Sequence, residues 1–124
     1  MFLKLAHTKL NAYSVSKQLV IEAYKIVATF PSEEKFGIVS QIRRAALTVH
    51  LNLAEGCSRK SGSERNRYFE VARGSLIEVD TAIGIATELN YCNKEQSIEL
   101  GNKIIETFKI LTGLITKSKY PVNL

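Results

Sequence analysis

The sequence predicts an all-α protein folded as an antiparallel up-down-up-down four-helix bundle. Three observations carry this expectation. Four stretches repeat apolar residues at every third or fourth position, the period of a helix with one inward face. Only two prolines and seven glycines interrupt 124 residues, too few for the frequent turns of an all-β fold. The connections are short and polar, which makes consecutive helices antiparallel neighbours. The hydrophobic fraction of 45% is enough for a packed core, and the length fits one domain spanning residues 1–124.

The first helix is expected over residues 9–29, with Thr8 as its N-cap and Leu10, Tyr13, Val20, Ala23, Val27 and Phe30 on one face. Pro31 stops it, because the residue before a proline is driven out of the helical region. The second helix is expected over 33–57. Ser32 caps it, and Glu33 and Glu34 sit in the first turn, where the helix dipole favours negative charge. Ile38, Ile42, Ala45, Ala46, Val49 and Leu53 form its apolar stripe within the stretch from Phe36 to Cys57, and Gly56 reads as its terminator.

The third helix is expected over 62–90. Ser61 and Glu64 have the spacing of a capping box, in which each side chain satisfies the other residue's free backbone N–H. Tyr68, Val71, Ala72, Ser75, Val79, Ala82, Ile83, Ala86 and Leu89 are assigned to its inner face. The fourth helix, over 94–118, opens with Asn93 and Gln96 in the same capping spacing. Its apolar residues are Ile98, Ile104, Ile105, Phe108, Leu111, Leu114 and Ile115, and residues 120–124 with Pro121 form a loose tail.

Several function classes lose support at this stage. The apolar run in residues 1–10 is too short and too charged for a signal peptide, and no run approaches the roughly 20 apolar residues of a membrane span, so a cytoplasmic protein with no membrane partner is expected. Cys57 and Cys92 form no CxxC pair and stand at no metal-ligand spacing from His7 or His50, so they read as inert thiols. There is no phosphate-binding glycine loop and no paired Glu-x-x-His of a di-iron bundle. Nothing assembles a Ser-His-acid or Cys-His arrangement. The expectation is a protein that is not an enzyme and holds no cofactor or metal.

Two features ask for more than a solvated surface. Gln41, Arg44, Thr48, Asn52 and Glu55 fall at spacings of three, four, four and three, lining one polar face of the second helix beside its apolar stripe. That face is either open to solvent or part of a polar network with another helix or subunit. Asparagine, a poor helix former, gives weight to the second reading.

The other feature is positive charge. The formal net charge is +5, and Arg43, Arg44, Arg59, Lys60, Arg65, Arg67 and Arg73 face only Glu55, Glu64 and Glu70 between Arg43 and Arg73. Arg59 to Arg67 surrounds the turn before the third helix, where free backbone N–H groups and Ser58, Ser61 and Ser63 add donors for phosphate oxygens. Arginine dominates this cluster, and its guanidinium fork matches phosphate geometry. Arg43, Arg59, Lys60, Arg65, Arg67 and Arg73 are therefore the candidate contacts to RNA or DNA, against the plainer reading of a solubilising surface. Tyr68 and Phe69 follow the turn and are candidates for base stacking or for the core.

The motif Phe30-Pro31, Gly37, Ser40-Gln41-Ile42-Arg43-Arg44-Ala45-Ala46, Asn52-Leu53-Ala54-Glu55-Gly56, Ser61, Glu64, Tyr68-Phe69, Ala72, Gly74-Ser75 and Glu78 resembles the bacterial four-helix-bundle proteins whose founding members are encoded by intervening sequences in large-subunit ribosomal RNA genes. The resemblance runs from about Asn11 to Lys117. It implies a left-handed bundle, assembly as a homopentameric ring or barrel, and no enzymatic activity. The family is similar in fold to the basic, pentameric accessory protein of diversity-generating retroelements, which binds nucleic acid and a reverse transcriptase. The chain departs from the family pattern at Val49-His50-Leu51 and at Leu53, where the family has isoleucine; His50 is the unusual residue.

Within the matching motif, Gln41, Arg44, Asn52, Glu55, Ser75 and Glu78 are assigned to a structural polar network between helices or subunits. The function expected from residues and resemblance together is a non-catalytic oligomer that binds RNA or another nucleic acid through the basic turn. The alternative is a protein-interaction scaffold that docks a polymerase or reverse transcriptase without touching nucleic acid itself.

Overall fold

The structure is a computed structural model and describes residues 1–119; the expected tail at 120–124 lies outside them. Among the described residues there are four long helices: α1 (Asn11–Val27), α2 (Ile38–Ser58), α3 (Gly62–Glu88) and α4 (Lys94–Lys119), with short 3-10 turns at Ala6–Lys9 and Ser32–Glu34. Each helix packs on its two sequence neighbours in the cycle α1–α2–α3–α4–α1. Contacts along the first pair fix its direction: Ser16 meets His50 and Tyr24 meets Arg43, so α1 and α2 run antiparallel. The chain is an all-α four-helix bundle.

The core follows from spacing. In α2 the buried positions Val39, Ile42, Ala46, Val49, Leu53 and Gly56 alternate three and four residues apart, and α3 repeats this at Phe69, Ala72, Leu76, Val79, Ile83 and Ala86. A seam of period 3.5 packs helices at a shallow crossing angle, as in a coiled coil. Leu19, Ile42, Leu53, Phe69, Leu76, Leu100 and Leu111 are its largest fully buried apolar side chains.

Several boundaries and inward assignments change. The helix α1 starts at Asn11 with Leu10 as its N-cap and no side-chain cap bond, and residues 6–9 turn as a 3-10 segment; the side chain of Thr8, expected as the cap, lies outside those described. Its end tightens through i→i+3 bonds from Thr29 to Ile26 and from Phe30 to Val27, so regular helix stops at Val27. Ser32 does not cap α2. Pro31 starts a separate 3-10 turn holding Glu33 and Glu34, and α2 begins only after Gly37. Glu34 instead accepts a hydrogen bond of 3.1 Å from the Tyr91 hydroxyl, tying the α1–α2 connection to the α3–α4 connection. Phe36, at 89% exposure, is outside the core.

Gly56 is not a terminator, since α2 continues through Ser58. It is a packing notch: a Cβ there would stand 2.6 Å from Cε1 and 2.8 Å from Cδ1 of Phe69. At the end of α3, Asn90 adopts φ 62, and bonds from its N–H to Thr87 and from the Tyr91 N–H to Ala86 close a Schellman motif two residues before the expected end. Both capping spacings form contacts. The Glu64 N–H donates to Ser61 Oγ, and Asn93 and Gln96 exchange side-chain to backbone bonds of 2.9 Å.

Leu10, Val71, Leu89, Ile98, Ile105 and Phe108, inward by their spacing, are exposed. Phe69, Leu76 and Leu100 occupy the seam instead, as do Leu19 and Ile26. These helices carry apolar residues over an arc wider than one core can use, so the stripe alone marks the wrong edge. No helix among the described residues is long and apolar enough to cross a membrane.

Candidate nucleic-acid interface

The tightest part of the basic region is the three-residue connection between α2 and α3. Arg59 is the C-cap of α2 and Ser61 the N-cap of α3, so both helices present their ends there. The Arg59 guanidinium donates through Nη2 to Glu55 Oε2 at 2.9 Å and to the Tyr68 hydroxyl at 3.1 Å, lying 5.1 Å over the Tyr68 ring. Tyr68 first, then the Glu55 carboxylate, strengthens the hold of Arg59 on its proton. Tyr68 thus serves as a platform for arginine across the hairpin.

Arg65 packs over the buried ring of Phe69 at 5.9 Å, which keeps its charge close to the same end. Lys60 and Arg67 are exposed and make no ion pair among the described residues. The structure therefore brings Arg59, Lys60, Arg65 and Arg67 to one end of the bundle. It places the other two candidates elsewhere. Arg43 lies 16 residues up α2 from Arg59, roughly 24 Å along the axis, and Arg73 stands eight residues beyond Arg65, roughly 12 Å. Arg43 instead stacks over Tyr24 at 5.3 Å on the α1 side.

The serines divide. Ser58 donates its hydroxyl proton to the Glu55 carbonyl at 2.7 Å, so that donor is used within α2. Ser61 accepts from the Glu64 N–H and keeps its own proton available, while Ser63 is exposed. Cys57 adjoins this end half-buried; desolvation pushes its thiol up and Arg65 opposes that shift only in part.

Among the described residues, the polar face of α2 is tied to another helix at Glu55, which Arg59 bridges to Tyr68 of α3. Gln41 and Arg44 are exposed; Asn52 is half-buried and donates to the carbonyl of Thr48 in its own helix at 2.9 Å. Glu55 pairs with Arg59, and neither Ser75 nor Glu78 makes a side-chain hydrogen bond to any of these residues among those described.

A polar contact that the spacing did not reveal lies between α1 and α2. Ser16, fully buried on the α1 seam, stands 2.7 Å from His50 Nδ1, and the ring of Tyr13 packs on His50 at 4.6 Å between centroids. Ser16 had no visible signal beyond its place at the heptad position between Ala12 and Leu19.

Comparison with known proteins agrees with this architecture. Residues 8–113 match the family described as 23S rRNA-intervening sequence protein. A solved structure of a protein with unknown function from the S23 ribosomal protein family of Bacteroides thetaiotaomicron superposes with a TM-score of 0.74 at 19% identity, covering 84% of this chain and 97% of that one. At that identity the likeness shows the fold. No curated protein matches the sequence.

Proposed function

This chain belongs to the 23S rRNA-intervening sequence protein family, and from that premise we propose that it is a non-catalytic, cytoplasmic homo-oligomer that binds RNA or another nucleic acid through its basic end. The observation that carries the reading is the convergence of Arg59, Lys60, Arg65 and Arg67 on the α2–α3 turn, beside the opening N–H groups of α3. Phosphates neutralised there release counterions, a sequence-independent source of affinity. A cluster of arginine and lysine at a helix end suits backbone contact rather than base reading. The copy number implied by the resemblance is five, and several such ends on one rigid particle bind a polyanion far more tightly than one.

Purified protein titrated into labelled single-stranded RNA and duplex DNA tests this, with particle mass measured by light scattering beforehand. The reading expects binding at about 50 mM salt that falls by orders of magnitude by about 200 mM. Absence of binding at the lower salt would leave a scaffold that docks a polymerase or reverse transcriptase as the better account.

A further inference from the structure

The α3–α4 side of the bundle carries a groove of about 390 Å³ between Leu76, Ile77 and Asp80 on one helix and Ile104, Ile105 and Phe108 on the other. Ile77 and Ile105 are 53% and 56% exposed, so the groove is apolar and uncovered. Gly84 follows Asp80 by four residues and Gly101 precedes Ile105 by four, which puts each one turn along the same face. Because α3 and α4 are antiparallel, both glycines fall toward the same end of the groove. A Cβ on either would meet nothing within 4 Å. Nothing inside the chain requires glycine there, although glycine is a poor helix former. Bare turns of this kind admit a second surface down to the backbone.

The opposite side of the bundle, between α1 and α2, is also apolar and open. Ile21, Tyr24 and Leu47 are 44%, 39% and 39% exposed around a shallow depression, and Leu51 extends the patch by a turn. Arg43 lies over Tyr24 there, and no carboxylate among the described residues pairs with it. Asp80 in the far groove has no ion-pair partner among the described residues either. Both faces are therefore open and apolar, and they differ in charge: one carries a cation and the other an anion, each without an ion-pair partner among the described residues. Pairing groove with groove would bring two Asp80 carboxylates together and leave Arg43 without a carboxylate.

We propose that the α1–α2 face of one copy seats in the α3–α4 groove of a second copy, with Arg43 meeting Asp80 and apolar side chains covering Gly84 and Gly101. This rests on the homo-oligomer reading above. Because the two faces are different and on opposite sides, the contact is heterologous and leaves one free groove and one free face on every pair. It also explains why Arg43 stands apart from the basic end.

Complementation tests it. Gly84→Leu blocks the groove in space the chain itself leaves open, with Ile105→Arg as a second groove variant; Leu47→Arg blocks the face, with Leu51→Arg as its substitute should helicity fall. Each variant alone is expected to run as a monomer with wild-type circular dichroism. A 1:1 mixture of Gly84→Leu and Leu47→Arg is expected to form a dimer of twice the monomer mass, since each retains the surface the other has lost. A monomeric wild type would overturn the homo-oligomer reading and this inference with it. An assembled wild type whose variants fail to complement would overturn the assignment of faces alone.

Discussion

Ser16 and His50 face each other across the α1–α2 seam with 2.7 Å between Oγ and Nδ1. A serine at a core position of a bundle is costly unless its hydroxyl finds partners; Ser16 donates to the Tyr13 carbonyl at 3.2 Å and shares a second bond with the His50 ring. The Tyr13 ring covers the other side of the contact, and its hydroxyl donates to Met1 Sδ, so the same cluster anchors the N-terminal residues. His50, the residue that departs from the family pattern, is thereby given a structural reason. Ser16→Ala should lower the unfolding free energy by about 1 kcal/mol in denaturant titrations. An unchanged midpoint would show that the contact contributes nothing net.

The same histidine makes stability depend on pH. Burial first, and the nearby Lys17 charge second, lower the His50 pKa from 6.5 in the folded chain. The unfolded chain then binds the proton more readily than the folded one. The contribution is complete above pH 6.5 and is lost as pH falls through the lower folded value. His50→Gln keeps a polar side chain that can hydrogen-bond Ser16, without a titrating group. Melting curves between pH 7.5 and about 5 should flatten in that variant relative to wild type; parallel curves would assign the pH dependence to other groups.

Glycines of different kinds should respond in opposite directions. Gly56→Ala forces a methyl into the Phe69 ring, which is fully buried and has little room to move, and should cost about 1–3 kcal/mol. Gly74→Ala meets nothing within 4 Å and should stabilise the helix by up to about 1 kcal/mol. Thermal melts of the two variants side by side check this, and a loss of stability at Gly74 would mean that this surface is occupied.

Thr107 is fully buried on the α4 seam, and its hydroxyl has no hydrogen-bond partner among the described residues. Valine has nearly the same shape and removes the unsatisfied group. Thr107→Val should therefore raise stability by about 1 kcal/mol, read as a higher denaturant midpoint at constant slope. A lower midpoint would imply that the hydroxyl is satisfied in the assembled protein.

The fold was legible because period, caps and breakers agreed: the Asn93–Gln96 box and the Ser61 cap form as their spacing predicts. Edges were harder to read. Pro31 marked the break correctly, yet the sequence did not reveal that Ser32 and two acidic residues would close a separate turn before α2. Inward positions were misplaced where α3 and α4 carry more isoleucine and leucine than one core needs, and the surplus at Ile77 and Ile105 now lines an open groove. The basic turn was visible as a run of charges. That Arg43 belongs to another surface was not, because adjacency in sequence hides the roughly 24 Å that 16 helical residues span.

The most direct test of the central claim compares the salt dependence of RNA binding for wild type and for a Lys60→Gln, Arg65→Gln, Arg67→Gln variant, with assembly mass held equal. Arg59 is left intact because it also braces Tyr68 and Glu55. Each phosphate contact removed from single-stranded RNA should reduce the slope of log K against log salt by about 0.7. The account predicts weaker binding and a shallower slope in the variant. Equal affinity with an equal slope would contradict it and place any nucleic-acid contact away from the α2–α3 end.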